Sequence, residues 1–195
     1  MSEIVEAAEA GRESRLNSIV ALLVAIIATL MALGNIKDGN IGQSMAQEQS
    51  SAIDAWAQYQ AKSTKQNIAE GTLVQLTVQR DLAAGVTPEQ RALLDRQIAD
   101  FQQRVKRYET EKGDIRKQAE AHQHAYDELN VHDDQFDLSE AAFSVAIAIL
   151  GVTALTQKRW LLVVGIVFAA IGLVFSAVGF LNLSLHPSAL TGLFS

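Results

Sequence analysis

The chain has 195 residues, of which 49% are hydrophobic and 19% charged, with a formal net charge of -6 and no cysteine. Without cysteine there is no disulfide, zinc-thiolate site or iron–sulfur cluster. The acidic balance gives no electrostatic footprint for nucleic acid. Only two prolines, among many Ala, Leu, Gln and Glu residues, favour long helices and an all-α fold.

Residues 1–15 form a polar segment in which Glu3, Glu6, Glu9 and Glu13 precede Arg15. Such a run is wrong for the basic head of a cleaved signal, so the apolar stretch after it is expected to be a retained anchor. Three apolar stretches, 16–36, 138–156 and 160–183, have no polar face and are expected to cross a bilayer. The third reaches the ~20 residues that a hydrocarbon core requires. Arg12, Arg15, Lys158 and Arg159 would lie on one side, against Lys37 on the other. The excess of positive charge places the N-terminus and the 157–159 turn in the cytoplasm and the middle region outside, in the periplasm of a bacterial inner membrane. Trp160 suits an interfacial anchor.

Residues 37–137 are expected to form a helical hairpin outside the membrane, with antiparallel arms of about 44–84 and 88–130. Between them "AAGVTPEQ" holds a helix stop at Gly85 and a T-x-x-Q capping box at Thr87 and Gln90, with Pro88 at the first helical position. In the second arm, Leu94, Ile98, Phe101, Val105, Tyr108, Ile115, Ala119, Tyr126 and Leu129 follow four-and-three steps, the period of a coiled-coil seam. Lys112 and His122 interrupt it, as polar residues that fix register do. In the first arm, Ile53, Trp56, Tyr59, Ile68, Leu73, Leu76 and Leu82 are expected to form the apolar side. Asp100 and Arg104 are placed to pair along the second.

The stretch "NVHDDQFDLSE", residues 130–140, admits two readings. His132, Asp133, Asp134 and Asp137 are ligand types for a divalent cation, but their spacing matches neither H-E-x-x-H nor a calcium loop. The favoured reading is structural: D-x-x-E, from Asp137 to Glu140, caps a new membrane helix. A 184–195 tail follows the last span.

Small residues repeat in each span. Ala21, Ala25, Ala28 and Ala32 do so in the first, in register with Gly39 and Gly42 beyond it. Ala141, Ser144, Ala148 and Gly151 do so in the second, and Gly165, Ala169, Gly172, Ser176 and Gly179 in the third. Inside lipid, helices associate by close packing, which small residues allow, so these are expected packing seams.

"WAQYQAKSTKQ", "NVHDDQFDLSEA" and "TALTQKRW" resemble a family of bacterial membrane proteins, the domain of unknown function DUF4337, along nearly the whole chain. The family's Trp–Tyr–Gln–Ala–Lys cluster is matched at Trp56, Tyr59, Gln60, Ala61 and Lys62. Of these, Trp56, Tyr59, Gln60 and Lys62 are candidates for an interaction. The resemblance implies no activity, substrate or cofactor. No nucleotide-binding or nucleophile motif occurs, so an enzyme is not expected. The expectation is a homo-oligomeric scaffold or accessory subunit, with the bilayer and a larger membrane complex as partners. The alternatives are an oligomeric channel or transport component and, less favoured, a metal-dependent envelope enzyme.

Overall fold

A computed structural model describes residues 2–82, 85 and 87–183. The 184–195 tail therefore lies outside the described residues. The fold is all-α: α1 spans Ser2–Leu82, α2 Pro88–Thr156 and α3 Arg159–Phe180. Each holds a stretch long and apolar enough to cross a membrane.

One expected helix boundary does not exist: α2 runs unbroken through residues 130–137. α1 runs unbroken through Gly39 and Gly42, as the register that these glycines share with the first stripe suggests. Asp137 and Glu140, expected to cap a new helix, lie inside α2 instead. The reason is geometric. D-x-x-E is also ordinary i,i+3 spacing within a helix, where the backbone N–H groups are already bonded and leave nothing to cap. The four-and-three steps of α2 pass through the stretch without a slip, from Leu129 to Asp133 to Phe136.

The true turns have clear local causes. Gly85 has φ +86, in the left-handed region. Beyond it the Thr87 N–H donates to Gln90 Oε1 at 3.1 Å and the Gln90 N–H donates to Thr87 Oγ1 at 3.3 Å. This is a reciprocal capping box. α2 ends where Gln157 turns left-handed, with its side-chain amide donating to Ala154 O and to Asn17 Oδ1. α3 ends at left-handed Asn182, with Leu183 N–H bonded to Val178 O and Asn182 N–H to Gly179 O. That pair of bonds is a Schellman motif.

The chain divides into two compact units, residues 1–45 with 127–195, and residues 46–126. In the first, α1 and α2 bury Val20, Ile27, Phe143, Ala146 and Leu150 against each other, with Leu162 and Phe168 of α3 packed alongside. In the second, the two arms run antiparallel. Ion pairs tie Lys62 to Glu111 and Arg80 to Asp95, and the His122 ring lies within hydrogen-bond distance of the Glu48 carboxylate.

Candidate functional site

The first unit is organised by a ladder of aromatic and aliphatic knobs on glycine. Phe136, Phe143 and Leu150 recur every seven residues on α2 and meet Gly179, Gly172 and Gly165 on antiparallel α3. A Cβ on Gly172 would fall 2.6 Å from Phe143 Cδ1, and one on Gly179 would fall 2.9 Å from Phe136. One on Gly165 would meet Leu150 at 3.0 Å. Only glycine lets the α3 backbone come this close. The approach is fastened by Ser139 Oγ donating to Gly172 O at 2.9 Å, and Phe136 also stacks edge-on against Phe180.

The small-residue stripe of α3 is thus an internal seam, with Gly165, Gly172, Ser176 and Gly179 buried and Ala169 half-buried. The other two stripes do not pack within the chain. Ala21, Ala25, Ala28 and Ala32 of α1 are exposed, as are Ala141, Ser144, Ala148 and Gly151 of α2. Larger neighbours on the same helices take the inward positions, because a core fills with volume and Phe143 and Leu150 supply more of it than alanine.

The acidic stretch does not converge. His132, Asp133 and Asp134 are consecutive on α2, so they point about 100° apart. His132 Nδ1 lies 3.2 Å from Gln135 Oε1, and Asp137 is exposed. Among the described residues no three His, Asp or Glu side chains gather as a metal-holding group. Instead Asp133 meets Asp38 of α1, a residue that the sequence reading had not singled out. Burial, reinforced by the charges of Asp133, Asp137 and Glu140, pushes the Asp38 carboxyl up to about 6. Asp133 is also pushed up, by burial and then by Asp137, while the hydrogen bond with Asp38 opposes the rise. Below about pH 6 the shared proton therefore resides on Asp38, facing the Asp133 carboxylate. The available signal was the step pattern: Asp38 falls on the same seam of α1 as Gly34 and Ile41.

In the second unit the seam of α2 faces α1 as its period requires, with Ile98 and Ala119 buried and Phe101, Val105, Tyr108, Ile115 and Tyr126 half-buried. Leu94 is half-buried, and so is Leu129, which falls in the first unit. Both interruptions have partners on α1. Lys112 Nζ lies over the Tyr59 ring at 5.8 Å, and His122 Nδ1 is 2.6 Å from Glu48 Oε2. Lys62 lies over the Tyr108 ring at 5.6 Å and pairs with Glu111. Tyr59 and Lys62 of the W-x-x-Y-Q-A-K cluster thus form reciprocal cation–π contacts across the arms, a means of holding register. Trp56 stacks edge-on against Tyr59 while staying partly exposed, and Gln60 is exposed.

The first arm corrects an expectation. Its most buried positions are small or polar, Ala52, Ala55, Gln66 and Ala69, while Tyr59, Leu73 and Leu76 of the expected apolar side are half-buried. Ile53, Ile68 and Leu82, expected to line it, are exposed. Small residues on α1 suit the large ones on α2, so the bulky apolar side chains of α1 are left on another face.

The family model for a domain of unknown function, DUF4337, matches residues 16–182. Comparison with curated proteins and with solved structures found no match.

Proposed function

The chain belongs to this family of unknown function, DUF4337, and we propose that it is an integral membrane protein acting as a homo-oligomeric scaffold or accessory subunit. The observation that carries the reading is the exposure of apolar surface on all three helices. Leu22, Ile26, Val145, Val152, Val163, Val167 and Val174 are all exposed. Lipid is the natural solvent for such a surface. On α1 and α2 the outward positions include the small-residue stripes, which permit close approach of another helix. The charge bias of the loops orients residues 157–159 to the cytoplasm and the hairpin tip to the opposite side.

A scaffold fits better than a pore within one chain, because the three-helix core is filled by Phe143, Leu150 and their neighbours. Its polar groups are spent on the backbone, as with Thr153 Oγ1 donating to Ile149 O. The tests are association and sidedness. Purified in mild detergent, the protein is expected to sediment as a homo-oligomer. A strictly monomeric species in several detergents and in lipid nanodiscs refutes the scaffold. Glu89→Cys, at the exposed tip, is expected to react with an impermeant maleimide before the inner membrane is permeabilised. Labelling only afterwards reverses the orientation.

A further inference from the structure

In the unit of residues 46–126, α1 has two distinct faces. One meets α2. The other carries Ile53, Trp56, Ile68, Val74, Val78 and Leu82, all exposed, with Ile68 at 65% and Leu82 at 77%. At 3.6 residues per turn these six fall within an arc of about 120°, the width of a core-facing apolar stripe. None of the seven ionised residues between 46 and 82 lies in that arc: Glu48, Asp54, Lys62, Lys65, Glu70, Arg80 and Asp81 all point elsewhere. The remaining positions of the arc are Ala, Gln, Ser, Thr, Asn and Gly. The face therefore runs roughly 55 Å without a charge. Six large apolar side chains stand exposed on it with no charge among them, a surface that soluble proteins tend to cover.

We propose that this face of α1 binds the same face of α1 in a second copy of the chain, as a parallel, two-fold symmetric pair. The inference rests on the reading of the protein as a homo-oligomer inserted in a membrane. Copies inserted in one membrane share the polarity of α1. A two-fold axis along the membrane normal then brings each residue of the face against itself. Such an interface must be built from residues that tolerate their own image. A net charge would repel its copy, and there is none. Gln60 and Asn67 carry amides that donate and accept, so each can pair with its twin and fix a parallel register. Gly71 lies in the same arc with nothing within 4 Å of an added Cβ, leaving room for a backbone to approach.

The natural sequence contains no cysteine, which makes the test direct. Asn67→Cys and Val74→Cys sit on the face, and Lys65→Cys sits off it. After mild oxidation in native membranes the two face variants are expected to give a disulfide-linked homodimer, at least tenfold more than Lys65→Cys gives. Ile68→Glu with Val74→Glu is expected to abolish the dimer by native mass measurement while helix content by circular dichroism stays unchanged. If the protein is oligomeric by mass but the face cysteines link no better than Lys65→Cys, this interface is wrong and the oligomer stands. If they link only to a different protein, the self-pairing is wrong. A monomer by mass defeats both readings.

Discussion

Replacing Gly172 by alanine probes the α2–α3 packing at its tightest point. The new Cβ would lie 2.6 Å from Cδ1 and 2.8 Å from Cε1 of Phe143, a ring only 1% exposed. Ordinary carbon contacts are about 3.5–4.0 Å, so α3 must move outward by close to an ångström. That movement also stretches the Ser139 bond to Gly172 O. Overpacking of this kind costs about 1–3 kcal/mol, against which alanine regains up to ~1 kcal/mol of helix propensity over glycine. The expected net loss is about 1–2 kcal/mol. Gly113→Ala is the matched control, since a Cβ there meets nothing within 4 Å, and a gain of up to ~1 kcal/mol is expected. The assay is unfolding of each variant in one detergent, by heat or by titrated SDS, with Phe143→Ala and the double variant completing a cycle. In Phe143→Ala the alanine at position 172 has room, so its cost should vanish and the cycle should show a coupling of at least ~1 kcal/mol. Gly172→Ala as stable as Gly113→Ala, or a cycle without coupling, would refute the ladder.

Other consequences can be measured in the same way. Burial holds the folded Asp38 carboxyl at about 6, against an ordinary value of 3.8. The native state therefore binds more protons between these values, and stability falls as pH rises through the window. The full shift corresponds to ~3 kcal/mol, which solvent screening of a partly exposed carboxyl reduces to about 1 kcal/mol. Asp38→Asn should recover that amount at pH 7.5 and flatten the pH dependence of unfolding between pH 4 and 6; an unchanged profile contradicts the shared proton. Thr87→Ala removes the capping oxygen of α2 and should cost about 1 kcal/mol, read from the unfolding midpoint, whereas a loss below the error of the fit speaks against the cap. A double-mutant cycle between Lys112 and Tyr59 should return about 0.5–1 kcal/mol of coupling, and additivity would remove their contact as a register device.

What the sequence disclosed depended on how local the signal was. The Thr87–Gln90 box is complete within four residues, so its residue types alone specify the bonds. The seam of α2 was legible because its large side chains repeat at one period. The seam of α1 was legible only in part: Tyr59, Leu73 and Leu76 are half-buried, but the most buried positions are Ala52, Ala55 and Ala69, while Ile53 and Ile68, one position away, carry the stronger apolar signal to an exposed face. The spacing of a small-residue stripe shows that helices can approach there, but not which helix comes. The α3 stripe turned inward onto Phe143 and Leu150, and the α1 and α2 stripes turned outward. Asp137 and Glu140 misled because capping and mid-helix pairs share one spacing. Asp38 was overlooked because a single carboxylate gives no pattern; its importance comes from Asp133, far away in sequence and opposite it in the fold.

The central claim is that copies of this chain assemble in a membrane. The most direct measurement is the native mass of the protein released from its own membrane with surrounding lipid. The account predicts integer multiples of 21.1 kDa, with the two-fold species as the smallest unit. A single 21.1 kDa species, free of any second copy at every protein-to-lipid ratio, would contradict it.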